Sequence, residues 1–141
     1  MPTNAEFLMP VLALVAWTLV MWAWMYATRI PAMRAAGIDP QEAAHSDALA
    51  QRLPPEVRWK ADNYNHLHEQ PTIFYALMFL AVLTGGNDHT ALALAWAYVA
   101  IRVVHSLVHA TVNRIVVRFA IFNLGSLTLV AFTAREAMRL L

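Results

Sequence analysis

A run of 22 residues without a charge, 7–28, does most to limit what this chain can fold into. As a helix at about 1.5 Å per residue it reaches about 33 Å, enough to cross the ~30 Å hydrocarbon layer of a bilayer. Trp17, Trp22, Trp24 and Tyr26 crowd its second half, where an aromatic belt meets the headgroups. Arg29 and Pro31 then mark the expected exit. A cleaved leader is the competing reading, but the preceding residues carry Glu6 and no Lys or Arg, and the run exceeds the ~7–15 apolar residues of a leader. Composition agrees with a membrane span: 13% of residues are charged and 60% hydrophobic, against about 25% charged in an average soluble domain.

Three further helical stretches follow. Residues 31–55 are polar and punctuated by Pro31, Gly37, Pro40, Pro54 and Pro55, the signature of a loop, with one short helix expected over 42–53. The apolar stretch 71–84 has only 14 residues, so its helix must begin in the polar segment near residue 56 and stop at Gly85-Gly86-Asn87-Asp88, a turn signal. The expectation is an all-α, integral membrane four-helix bundle. It forms a single domain over 1–141, with helices at about 7–29, 56–84, 89–111 and 114–138. Arg29, Arg34, Arg52, Arg58, Lys60, Arg114 and Arg118 flank two connections on one side, whereas Arg135 and Arg139 alone lie on the other. Retention of Lys and Arg inside predicts two cytoplasmic loops and both termini outside. The net charge of +1 gives no basic surface for nucleic acid, and the absence of cysteine removes disulfides, thiolate nucleophiles and Cys-ligated metal.

Ionisable residues inside spans are costly and face a protein interior or an aqueous cavity. On the third helix Arg102, His105, Ser106, His109 and Asn113 fall within one arc of about 100° at about 100° per residue. Arg58, Asp62, Asn65, His66 and Glu69 do the same on the second helix, with Asn63 and His68 outside the stripe. Both stripes lie in the halves nearest the basic loops, so they converge on one cleft. The structural alternative is that Arg102 pairs with Glu69 or Asp62 to neutralise buried charge, the histidines acting as hydrogen-bonding glue. Three chemical readings fit the cleft. Arg102, Arg114 and Arg118 suit an anionic ligand such as a small peptide like glutathione, since guanidinium groups bind carboxylates bidentately. His105 and His109 at i,i+4, with His66 and Glu69 at i,i+3, suit zinc or iron. A proton relay or lipid site without chemistry is the third.

The segment Ala61-Asp62-Asn63-Tyr64-Asn65-His66-Leu67-His68-Glu69-Gln70-Pro71, followed by Phe74-Tyr75-Ala76-Leu77, resembles the MAPEG family, membrane-associated proteins in eicosanoid and glutathione metabolism. A second match is Arg102-Val103-Val104-His105-Ser106-Leu107-Val108-His109 with Asn113-Arg114 and Arg118-Phe119. The resemblance is to the bacterial branch and spans nearly the whole chain. It implies a homotrimer with sites between protomers that open to the cytoplasm; together with the charge asymmetry, the expected location is the bacterial inner membrane with both termini periplasmic. It further implies a glutathione-dependent transferase or peroxidase acting on a lipophilic electrophile. By the same resemblance Arg114 and Arg118 are the catalytic candidates, and Asn65, His66, Glu69, Arg102, His105 and His109 the glutathione-binding ones. Glu69 would hold the amine and His105 orient a carboxylate. Departures stand beside the matches: Asn65 replaces the arginine and His66 the asparagine of the second-helix Arg-Asn-x-x-Glu pattern. His109 replaces a tyrosine, and Phe119 cannot donate a hydrogen bond. The family also contains a lipid-binding member without catalysis, so a lipid-binding or scaffolding trimer is the alternative, as is a His/Glu metal-binding membrane protein.

The charge asymmetry predicts that a reporter fused after Leu141 is periplasmic in a bacterial host and one inserted at Ala44 cytoplasmic. Activity of the two reporters in the opposite compartments would refute the orientation.

Overall fold

The computed structural model of the protein describes residues 1–39, 41 and 51–141, so most of the helix expected over 42–53 lies outside the described residues. The helices are α1 (Asn4–Ala35), α2 (Pro55–His66), α3 (Gln70–Leu83), α4 (His89–Thr111) and α5 (Ile115–Leu140), and no strand occurs among the described residues. α1, α4 and α5 are each long and apolar enough to cross a membrane.

α1 opens on a capping box. Thr3 Oγ1 accepts from the Glu6 N–H at 3.2 Å, and the Glu6 carboxylate accepts from the Thr3 N–H at 2.8 Å, satisfying donors that a helix start leaves free. The helix runs on to Ala35, past the exit expected at Pro31. A proline costs one backbone bond, and in the last turns of a helix few bonds remain to be lost. Phe7, Pro10, Leu14, Met21 and Met25 are buried at three-, four- and seven-residue steps, so a narrow seam faces the bundle and the remaining surface faces outward.

α4 is the central helix and packs against α1, α2 and α5. Its buried seam is small in one half, at Ala91 and Ala95, and polar in the other, at Arg102, His105, Ser106 and His109. In lipid the hydrophobic effect does not drive helices together, so close contact through small residues and interhelical hydrogen bonds must do so. Gly125 of α5 provides such an approach, since a Cβ there would lie 3.3 Å from the Ile101 side chain of α4. The Phe74 ring stacks on Tyr98 with centroids 4.7 Å apart. Gln70 ties three helices together: its Nε2 donates to Ser126 Oγ at 2.8 Å and its Oε1 accepts from the Tyr98 hydroxyl at 3.3 Å.

The single helix expected over 56–84 is interrupted at residues 67–69. Pro71 is the cause. It has no N–H for the Leu67 carbonyl, and in an unbroken helix its ring would collide with that carbonyl. α3 alone, at 14 residues, covers only about 21 Å of a ~30 Å layer, and α2 precedes it as a separate, polar segment.

At the other end of the bundle the chain termini meet the turn between α3 and α4. Asn87 Nδ2 donates to the Pro2 carbonyl at 3.2 Å and to Asn4 Oδ1 at 3.0 Å. Glu136, only 1% exposed, accepts from Arg135 and from Arg139 Nη2 at 2.8 Å, while Arg135 also binds Asp88 and Arg139 Nη1 donates to the Thr84 carbonyl at 2.8 Å. Gly86 sits so close to Glu136 and Arg139 that a side chain there would collide with both. The Ala91 N–H, then the Arg135 guanidinium, hold the Asp88 carboxyl below its ordinary 3.8 against the opposing effect of burial. Its contribution is therefore fully present above that value and is lost as pH falls through the lowered one.

Glu136→Ala leaves two partly buried arginines without their shared carboxylate and is expected to cost roughly 3–5 kcal/mol. Thermal unfolding in detergent tests this, and an unchanged midpoint would show that the cluster contributes nothing to stability.

Candidate functional site

The polar half of α4 faces α2, the helix break and the start of α5. There Asn63 Nδ2 donates to Ser106 Oγ at 2.6 Å, a buried bond between α2 and α4. Arg102, 1% exposed, donates from Nη2 to the His66 carbonyl at 2.9 Å, and its guanidinium carbon lies 5.7 Å from the centre of the Phe122 ring. The His66 carbonyl is available because the helix stops there. Arg102 Nε and Nη1 are buried without a hydrogen-bond partner, as is His109 Nδ1.

Two cavities open beside this cluster. The first, about 350 Å³, is polar and lined by Asp62, Asn65, His66, Glu69, His109 and Arg118. A smaller and more apolar one, about 170 Å³, is lined by His66, His105, Ile115, Arg118, Phe119 and Phe122. His66 and Arg118 belong to both walls. The imidazoles of His66, His105 and His109 lie edge to face, with centroids 5.4–6.1 Å apart, and Phe122 packs against two of them. Glu69 approaches His66 Nδ1 to 3.3 Å, yet that nitrogen makes no hydrogen bond, so the contact is a loose electrostatic one at the cavity mouth, where Glu69 is 63% exposed. Arg118 is tied to the loop before α5, its Nη1 donating to Asn113 Oδ1 at 2.6 Å.

Of the residues singled out from the sequence, Asn65, His66, Glu69, His109 and Arg118 meet around the polar cavity, and His105 joins His66 and Arg118 around the apolar one. Arg102 lines neither and forms no ion pair with Glu69 or Asp62; its bond goes to a backbone carbonyl. Arg114 is exposed at the N-terminus of α5 and lines neither cavity. Asn113 lies beyond the end of α4, not on its polar stripe. No group of three or more His, Cys, Asp and Glu residues that could hold a metal ion occurs among the described residues.

On α2 the polar stripe and the packing seam are distinct. Lys60, Asn63 and Leu67 are buried, whereas Arg58, Asp62 and Asn65 are exposed. At about 100° per residue the buried seam is turned by about 100–160° from Asp62, so the charged stripe rims the cavity and Asn63, outside it, makes the interhelical bond. The spacing of 60, 63 and 67 was the available signal. Phe122 was likewise missed, although it follows Arg118 at i+4 and shares its helix face.

Double-mutant cycles test the Asn63–Ser106 bond. Asn63→Ala and Ser106→Ala should be non-additive by about 0.5–1.5 kcal/mol in thermal or denaturant stability, and strict additivity would rule out the contact.

Residues 7–138 match the family model described as the MAPEG family. No curated protein and no solved structure matches the chain.

Proposed function

Because the chain belongs to the MAPEG family, we propose that this membrane protein is a glutathione-dependent transferase or peroxidase acting on a lipophilic electrophile. The observation that carries this reading is the pair of cavities, one polar and one apolar, sharing His66 and Arg118 as a common wall. Such a division suits a reaction between a charged peptide and an apolar molecule. The polar cavity, at about 350 Å³, falls in the ~300–1,000 Å³ range of small-ligand sites. The apolar one is smaller, and Phe119 and Ile115 at its edge, 68% and 71% exposed, would continue its surface toward lipid.

The donor set fits an anionic peptide. Asn65 offers an amide and Glu69 a carboxylate for the amine, while His109 supplies an unpartnered ring nitrogen. Arg102, buried and lining neither cavity, has two unused donors and would act on a bound anion through its charge, not by contact. Glutathione, when bound, supplies the sulfur nucleophile. Arg118 would favour the thiolate over the thiol, since a cation within about 4–6 Å stabilises the charged form. His105 and His66 would orient the polar groups. Arg114, exposed at the head of α5, is placed to meet a carboxylate or a neighbouring copy in a homotrimer. The excess of Lys and Arg beside the site supports a cytoplasmic opening with both termini on the opposite side, and a bacterial inner membrane is the setting proposed with it.

Thermal unfolding in detergent tests the reading. Glutathione at a hundred times its Kd should stabilise by about 2.7 kcal/mol, and an S-methyl analogue that keeps both carboxylates should stabilise less. Arg118→Ala should reduce the gain more at high pH than at low, because the thiolate loses its partner while the carboxylates do not. Stabilisation by added lipid and not by glutathione would replace the enzyme with a lipid-binding or scaffolding protein.

A further inference from the structure

Asn113 is the one non-glycine residue with a positive φ, 46°, among the described residues. It follows the end of α4, where its N–H donates to the Val108 carbonyl at 2.7 Å, a left-handed helix ending in which glycine is the usual occupant and asparagine the next. Backbone closure would be served at least as well by glycine, which has no Cβ to crowd the left-handed conformation. What asparagine adds is its carboxamide. Oδ1 accepts from Arg118 Nη1 at 2.6 Å, a charge-assisted bond across five residues that spans the α4–α5 connection. Arg118 is the cation on the wall common to both cavities. A guanidinium on a long side chain has many rotamers to choose from, and this bond selects one.

We propose that Asn113 is a positioning residue, whose left-handed backbone aims its carboxamide at Arg118 and holds that guanidinium between the polar and the apolar cavity. The proposal deepens the glutathione reading and, for its effect on ligand binding, rests on it. A helix-ending role and a positioning role make opposite predictions for one substitution. Asn113→Gly keeps the backbone conformation and removes the acceptor; Asn113→Asp keeps an acceptor oxygen at the same place.

Thermal unfolding of the full chain in detergent, with and without glutathione, reads both roles together. Asn113→Gly should unfold at or above the wild-type temperature without ligand while binding glutathione roughly tenfold more weakly, about 1.4 kcal/mol. Asn113→Asp should restore most of the affinity. Wild-type affinity in Asn113→Gly would overturn the proposal. Should wild-type protein itself show no glutathione response, the functional reading fails by itself, and a ligand-free measurement then decides the positioning. In ¹⁵N-edited NMR, Arg118, assigned by its loss in Arg118→Lys, should show slowed guanidinium rotation with separate Nη signals in the wild type and averaged signals in Asn113→Gly. Identical, averaged signals in both would overturn the proposal irrespective of the ligand.

Discussion

The bond from Arg102 to the His66 carbonyl joins the three features that make this bundle more than a set of spans. A bilayer interior offers no water to an unpaired backbone group, and Pro71 creates such groups by stopping α2 before α3 begins. Arg102 has the converse problem, a charge placed on the buried seam of α4. Each answers part of the other's need. The carbonyl, which otherwise accepts only a long 3.4 Å bond from the Glu69 N–H, gains a second donor, the guanidinium gains an acceptor and the face of Phe122, and His66 is held at the wall common to the two cavities.

Neither partner supplies a negative charge. The two ends of the bundle therefore differ in kind. Around Glu136 two arginines share one buried carboxylate, Asp88 takes a further arginine contact, and Thr84 a further bond. Charges there are balanced and pin the termini to the α3–α4 turn. Around Arg102 two donors and a histidine nitrogen are left over, and Glu69, the carboxylate that could neutralise them, stands at the exposed mouth. At one end, then, the buried charges meet in direct ion pairs, and at the other the buried guanidinium keeps donors without a partner while the carboxylates stay at the rim of the polar cavity.

Between these ends α4 carries the packing. Ala91 and Ala95 let it approach its neighbours, Tyr98 stacks on Phe74, and Gln70 links it to α3 and α5. Interhelical hydrogen bonds in membrane proteins average only ~0.6 kcal/mol each, so no single one sets the fold. Their shared role is to fix the rotation of α4, which decides whether the histidines face cavities or lipid.

Most of the architecture was legible along the chain, because apolar run length is a local quantity: 22 uncharged residues at 7–28 have few other stable uses, and the turn at 85–88 ends a helix wherever it occurs. The polar face of α4 was legible for the same reason, since Arg102, His105, Ser106 and His109 share one face of a regular helix whatever surrounds it. Pro71 was visible too, but whether a proline kinks a span or splits it depends on what the carbonyls at the break meet, and for His66 that is Arg102 of α4. The rotation of α2, which buried Asn63 and turned Asp62 and Asn65 outward, depends on how α2 packs against α1 and α4. So does the division of one expected cleft into a polar and an apolar cavity by His66 and Arg118. Local periodicity states which residues travel together; only packing between helices decides where that group points and what it meets.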